Sequence, residues 1–469
     1  MSQDFRNKKI VIMGLGLNDG GAGTTRFFLR RGADVLVTDL KSKKELWPSI
    51  KKLLVFKKEC GKKCGRLRFI LGRHRKNDFK DADLVIQGPG VPDNSPFLAY
   101  AVKNKIPIDT DIGIFFARCP APIIGVTGSK GKSTTAALIY NILKRKYKDA
   151  IFAGNIGKSP LDYVDRIKPT TKIVLELSSW QLEGLARHKK SPHIAVITNI
   201  LKEHLNRYKN FTAYAKAKAL IFKFQKSGDY LIINKDAKIF LRSFLKKAKP
   251  RIIYSIRILA KSDFAIAGNI GMATAVAKLC GVAEHLIKKS ISAFKGLPGR
   301  QEKIAEINGV SYYNDTTATM PDAAVLALNS IKPVKRGKII LIAGGTDKKL
   351  DFGEMAREIK KLAGVLILLP GDATKKLISN FQNLPYRRIP GLHPSEAKTF
   401  ASNSISKQTN FKMFEVSSMK EVVRIAYSNA KMGDVVILSP GAASFGLFQN
   451  EFDRGEQFEK EVMKIKHKT

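Results

Sequence analysis

Acidic residues, cysteine and long apolar runs are all scarce in this chain, and each scarcity narrows what it can be. No segment reaches the roughly 18 uninterrupted apolar residues of a membrane span. The first residues, MSQDFRNKK, lack the apolar stretch of a secretion signal, so the sequence predicts a cytoplasmic protein without membrane insertion. The four cysteines, Cys60, Cys64, Cys119 and Cys280, contain one C-x3-C pair and no second one. That is poor spacing for zinc and suggests free thiols in a reducing compartment. Forty acidic residues stand against 83 Lys and Arg, a formal net charge of +43. Such an excess points to nucleic acid when it is clustered. Here the lysines are spread over nearly every segment, with no aromatic-and-basic platform among them. The charge reads as a compositional lysine bias that helps attract polyanionic substrates, with no specific nucleic-acid partner.

A chain of 469 residues exceeds one ordinary core, so two to four domains are expected. Strand-like apolar runs alternate with helical patterns, which is the signature of α/β architecture with mostly parallel sheets. KKIVIMGLGLNDGGAG (8–23) and ADVLVTD (33–39) read as two strands around a glycine turn, as in half a Rossmann fold, with Asp39 placed to meet a ribose. Asp19 stands where a third glycine would complete G-x-G-x-x-G, so the match to NAD is loose and another nucleotide, such as a uridine diphosphate, stays open. KGLPGRQEK (295–303) reads as a hinge. Beyond it GKIILIAGG, GVLILLPG and GDVVILSPG each read as a strand running into a glycine turn. The expected layout is a Rossmann-like domain over 1–109, a central P-loop ATPase domain over 110–297 and a second Rossmann-like domain over 298–469.

GVTGSKGKSTT (125–135) lies between an apolar strand, APIIGVT, and a helical stretch, STTAALIYNILKRK. Strand, glycine loop and helix are the required order for a phosphate loop, although Val126 occupies the position of the usual first glycine. Gly128 and Gly131 allow backbone N–H groups to face an anion, Lys132 can reach the terminal phosphates, and Ser133 can hold Mg2+. In ELSSWQLE (176–183), Glu176 sits at the carboxyl end of a strand in the same expected sheet, where ligands collect in open α/β folds. His204 and Glu203 follow another strand end in TNILKEHLNRY.

Read in order, VTGSKGKST, AGNIG, LELSSWQLE, TNILKEHLNRY, AYAKAKALIF, GLPGRQE, YYNDTTAT, AGGTDKKLDF and SPGAASFGLFQNEFDRGEQF resemble the successive signatures of the Mur ligase family, and within it those of the D-glutamate-adding members. The resemblance runs from about residue 10 to the C-terminus. It implies an ATP-dependent amide ligase with UDP-N-acetylmuramoyl-L-alanine and D-glutamate as substrates, working as a monomer whose domains close on the reactants. It also implies that Lys132 meets the γ-phosphate, that Gly128, Gly131, Ser133 and Thr134 complete the loop, and that Ser133, Glu176, His204 and Lys218 serve two Mg2+ ions. Lys218, in Y-x-x-x-K spacing from Tyr214, corresponds to the family's carbamylated lysine. Asn269, Arg300 and Asp315 correspond to ATP contacts. Leu17, Asn18, Asp39 and Gly90 correspond to the uridine diphosphate cradle, and Asn155, Ser178 and Gln181 to contacts with the sugar-peptide. Thr319, Lys348 and Ser444 correspond to the pocket for the incoming dicarboxylate.

The chain departs from the family at AGNIGMATA, where Gly268, Asn269 and Met272 replace H-N-x-x-N. It departs also at Glu203, where Asp is usual, at Thr317, where many members carry lysine, and at Gly88, where serine is common. Another Mur-type ligase or a folylpolyglutamate ligase would share the phosphate loop. A basic, nucleotide-regulated nucleic-acid binder would account for the charge but leave Glu176, His204 and Lys218 without a role.

Overall fold

The computed structural model describes residues 5–466, except 18, 202–206, 256–263, 295, 335–336, 348–349, 382–386, 389–398, 402–410 and 445. The chain resolves into two compact units that part at Phe294 and Lys295, with a few residues near 263–265 grouped with the second. The first unit carries two parallel sheets and the second carries one mixed sheet.

The first sheet is built from β1 (Lys9–Met13), β2 (Asp34–Asp39), β3 (Leu67–Leu71), β4 (Leu84–Gln87) and β5 (Ile108–Asp109), in the order β3-β2-β1-β4-β5. The order reverses beside β1, so the glycine turn after Met13 opens at the switch point where such sheets bind ligands. The second sheet runs through β6 (Ile123–Thr127), β7 (Ile151–Gly154), β8 (Ile173–Glu176), β9 (Ile194–Ile197), β10 (Tyr230–Asn234) and β11 (Arg251–Ser255). Its order is β11-β10-β9-β6-β8-β7, which places the strand leading into the phosphate loop between β8 and β9. Strands β6, β8 and β9 are buried throughout, as their unbroken Ile, Val and Leu runs require of a sheet covered on both faces.

Ion pairs link the two sheets' helices within this unit: Arg26 and Arg30, on the helix Asp19–Arg30, both reach Asp162, while Arg31 reaches Asp165. Asp19, which displaces the expected third glycine, starts that helix and pairs with Arg26 at 2.6 Å.

The second unit holds β12 (Glu302–Ile307), β13 (Val310–Asn314), β14 (Ile339–Gly344), β15 (Ala363–Leu369), β16 (Arg387–Arg388), β17 (Thr399–Ala401), β18 (Lys412–Glu415) and β19 (Val435–Leu438). They lie in the order β12-β13-β19-β14-β15-β18-β17-β16, parallel from β13 to β18 and antiparallel at both edges. The antiparallel hairpin β12–β13 was not evident from the sequence, because GLPGRQEK dominated the reading of that stretch.

One expectation is corrected. Cys60 and Cys64 form a disulfide, and Cys119 and Cys280 are the free thiols. The helix Trp47–Cys60 ends at the first of the pair, and a short turn at Gly61–Lys63 folds the chain back so that the two Cα atoms lie 5.7 Å apart, within disulfide reach.

Candidate active site

The phosphate loop is shaped by glycine at two places where no other residue fits. Gly128 (φ +147°) would put a Cβ 1.9 Å from Thr198 Oγ1, and Gly131 (φ +78°) would put one 2.7 Å from Asn269 Oδ1. Gly131 caps the helix Lys132–Lys146, whose first N–H groups and positive dipole end lie at the loop. Lys132 folds back to donate to the Ser129 carbonyl at 2.7 Å. Ser133 is buried and Thr134 half-buried in the helix's first turn.

Asn199, just past β9, holds the loop in place. Its Oδ1 accepts from Lys130 N at 2.8 Å, its Nδ2 donates to Lys130 O at 3.1 Å, and its carbonyl accepts from Ser129 N at 3.0 Å. Thr198 Oγ1 adds a bond to Lys130 O at 2.6 Å. The sequence reading passed over Asn199 in favour of the more reactive Glu203 and His204 in the same motif.

Glu176 ends β8 and is 2% exposed. Its Oε1 accepts from Asn155 Nδ2 at 2.9 Å, while Oε2 is buried with no hydrogen-bond partner. Such an orphan is costly unless a ligand completes it. Lys218 is equally buried, on the helix Phe211–Lys223, and donates to Thr127 Oγ1 at 3.2 Å at the mouth of the same loop. Tyr214, one turn earlier, meets Ser129 Oγ at 3.1 Å. Lys216, two residues from Lys218, is exposed on the other side of the helix.

Ser178 caps the helix Ser179–Ala186 in a reciprocal capping box with Gln181. Gln181 also lines a narrow cleft with Gln87, Val91, Asp93, Trp180 and Arg187. Arg187 donates to Gln87 Oε1 at 2.6 Å and to Asp93 at 3.1 Å across it. Asp111, which also lines the cleft, is pushed up to about 6 by burial.

At the glycine turn after β1, the Asp39 carboxylate accepts from Leu15 N at 2.8 Å, Gly16 N at 3.1 Å and Lys41 N at 2.9 Å. The residue read as a ribose contact thus braces the turn. Leu17 and Gly90 are exposed nearby. Met272, a departure from the family pattern, is 1% exposed and packs in the core under the helix Lys132–Lys146, whereas Asn269 stands over Gly131 and Gly268 is half-buried.

In the second unit Asp315 follows β13, accepting from Ser439 Oγ at 2.8 Å and from Gln301 N at 3.1 Å. Thr317 donates to Gly299 O at 2.9 Å, which fixes the turn next to the exposed Arg300. Thr319 is half-buried and Ser444 buried, on the loops after β13 and β19. Arg454, fully buried, ties these two loops together. Its Nε donates to Thr316 Oγ1 at 3.1 Å, Nη2 to Thr316 O at 2.8 Å and Nη1 to Ala442 O at 3.2 Å. Burial brings its guanidinium down to about 10, so it is charged at neutral pH. Sequence reasoning missed it, although a signal exists: Arg454 shares the buried stripe of the helix Glu451–Lys466 with Phe458 and Val462, an odd place for a cation.

Asn18, His204 and Lys348 lie outside the described residues. Among the described residues no three His, Cys, Asp or Glu side chains cluster as a preformed metal site, and no helix is long and apolar enough to cross a membrane.

Comparison with known proteins follows the same segments. Residues 8–110 match the N-terminal domain of MurD-like Mur ligases, 126–300 the Mur ligase middle domain and 299–441 the Mur ligase glutamate ligase domain. The UDP-N-acetylmuramoylalanine--D-glutamate ligase of a Roseiflexus species is 37% identical, over 97% of this chain and 98% of the relative. The ligase of the same name from Borreliella burgdorferi is 36% identical over 98% of each. The chain belongs to the Mur ligase family. Among solved structures, the UDP-N-acetylmuramate-alanine ligase MurC of Thermotoga maritima (TM-score 0.60, 17% identity, 98% of this chain and 100% of that one) shares the fold. So does MurF of the same organism in complex with ADP (TM-score 0.58, 17% identity, 99% and 100%).

Proposed function

We infer that this chain joins D-glutamate to UDP-N-acetylmuramoyl-L-alanine with ATP, an amide-forming step of peptidoglycan precursor synthesis in the cytoplasm. The observation that carries the reading is the whole-length likeness to ligases of that name, in three segments that follow one another without a gap in kind.

The terminal carboxylate of the acceptor attacks the γ-phosphorus of ATP, forming an acyl phosphate and releasing ADP. The amine of D-glutamate then adds to the acyl carbon, loses a proton, and phosphate departs as the amide forms. In this reading the loop N–H groups and Lys132 stabilise the charge that spreads over the transferring phosphoryl group, which is positioning and electrostatics rather than covalent catalysis. To do so Lys132 leaves the Ser129 carbonyl. Gln181 and Asn155 orient the sugar-peptide, and Asn269, Arg300 and Asp315 hold the nucleotide. Thr319, Ser444 and Lys348 receive the dicarboxylate. Residues 1–109, 110–297 and 298–469 serve as the uridine-nucleotide, ATP and amino-acid domains respectively.

The chemistry of the donors fits Mg2+. Glu176 Oε2 is a buried, unpartnered hard oxygen beside a loop that offers the Ser133 hydroxyl, with His204 as a further ligand. Bound there, Mg2+ offsets the negative charge on the phosphates. Lys218 is buried where a cation would oppose that ion. Adding CO2 to its neutral amine, with loss of a proton, makes a carbamate whose negative charge favours it. Labelling the acceptor carboxylate with 18O tests the scheme. One 18O should appear in the released phosphate, whereas phosphate free of label would exclude the acyl phosphate.

A further inference from the structure

The helix Trp47–Cys60 buries Ser49, Ile50 and Leu53 against its own domain and turns an unusual face outward. Trp47, Leu54 and Val55 are 46%, 46% and 50% exposed, and Leu40, just ahead of the helix, is 67% exposed. At 100° per residue, positions 47, 51, 54, 55 and 58 share an arc of about 100°, so Lys51 and Lys58 interleave with the three apolar side chains. Both lysines are exposed. From residue 41 to 63 the chain carries nine lysines against only Glu45 and Glu59.

We propose that this face is a docking surface for an anionic lipid bilayer. Clustered exposed apolar groups mark a binding surface rather than ordinary solvent-facing scatter. The density of lysines selects a negatively charged occupant, and it opposes a second copy of the same face by repulsion. A nucleic acid could use the lysines and stack on Trp47, but it offers nothing to Leu40, Leu54 and Val55. The interface of an anionic bilayer takes all three kinds of group at once. The indole sits at headgroup level, the aliphatic side chains enter the acyl boundary, and the lysines stay among the lipid phosphates. Since no described helix can span a bilayer, the contact is peripheral and salt-sensitive. The face carries none of the residues assigned to catalysis, so docking and turnover separate experimentally.

Flotation of the full-length chain with vesicles at about 0.1 M salt tests the proposal. One set of vesicles contains equal parts phosphatidylglycerol and phosphatidylcholine, the other phosphatidylcholine alone. The protein should float with the anionic vesicles and stay behind with the neutral ones. Lys51→Glu with Lys58→Glu should lower the bound fraction at least about tenfold. Trp47→Ser with Leu54→Ser, which leaves charge untouched, should lower it about fivefold or more. Reversing two exposed lysines elsewhere, Lys246→Glu with Lys247→Glu, should change it less than about twofold. Unaltered phosphate release by all three variants would certify that they fold. The proposal fails if the wild type does not float, or if the distant pair matters as much as the helix pair, which would leave only overall charge. It fails also if the apolar pair is silent, which would make the face a surface for any polyanion, nucleic acid included.

Discussion

Each unit buries a charged side chain beside the loops of its candidate site, and the two charges are treated differently. Glu176 in the first unit has one oxygen bound by Asn155 and the other without a partner. Arg454 in the second donates from all three nitrogens to Thr316 and Ala442. A buried charge that donates from every nitrogen to the loops around it is scaffold, because its removal takes a donor from the carbonyls it serves. One left half complete at the edge of a phosphate loop is open to a ligand, because a bound cation would finish it. The contrast therefore predicts chemistry at Glu176 and loop positioning at Arg454, and it can be broken from either side.

The largest effect is expected at the phosphate loop. Lys132→Ala should cut turnover at least about a hundredfold, roughly 3 kcal/mol of lost transition-state stabilisation, with the melting temperature little changed. Near-normal turnover would remove the loop from the mechanism. Glu176→Gln keeps the shape and the bond to Asn155 but discards the charge. It should lower turnover on a similar scale while leaving stability equal or higher, since a buried carboxylate without a cation costs free energy. Arg454→Met should do the reverse in kind, destabilising the second unit by about 2–3 kcal/mol as the Thr316 and Ala442 carbonyls lose their donor. If Glu176→Gln unfolds the protein and Arg454→Met spares it, the contrast is wrong.

A matched pair of lysines sharpens the same point. Lys218→Ala should lose most activity and regain part of it with a small added carboxylate, whereas Lys216→Ala, on the exposed side of the same helix, should be nearly silent. Equal activities would dismiss the carbamate.

Asp111 supplies the smallest and most pH-dependent test. Its folded value, about 6, lies above the ordinary 3.8, so the native state holds the proton more tightly than the unfolded chain. Stability should fall as pH rises from about 4 to about 6 and then level off, by at most about 3 kcal/mol. Asp111→Asn should flatten that slope in denaturant titrations at pH 5 and pH 8. An unchanged slope would show that other groups set it.

Much of this organisation was legible in the sequence because it is local. The strand before the phosphate loop, Gly128, Gly131 and Lys132 follow from turn geometry and apolar patterning, and Glu176 from its place at a strand end. The rest depends on contacts between distant segments. Asn199 matters through its bonds to Lys130, 69 residues away, and Arg454 through Thr316, 138 residues away. Neither separation leaves a local mark beyond an arginine on an apolar stripe. Asp39 carries a role that the sequence does not mark, since an acid at the end of a second strand is also what braces a glycine turn. Strand order in the mixed sheet of the second unit, and the pairing of Cys60 with Cys64, likewise required the fold.

The most direct test offers the enzyme a choice. With ATP and Mg2+, it is given both UDP-N-acetylmuramic acid and its L-alanyl derivative, together with D-glutamate, L-glutamate, L-alanine and diaminopimelate, and the nucleotide products are identified by mass spectrometry and chiral analysis. The account predicts a single main product, the L-alanyl acceptor extended by D-glutamate, formed with one phosphate released per amide. A main product made from unsubstituted UDP-N-acetylmuramic acid and L-alanine, or one extended by another of the amino acids, would contradict it.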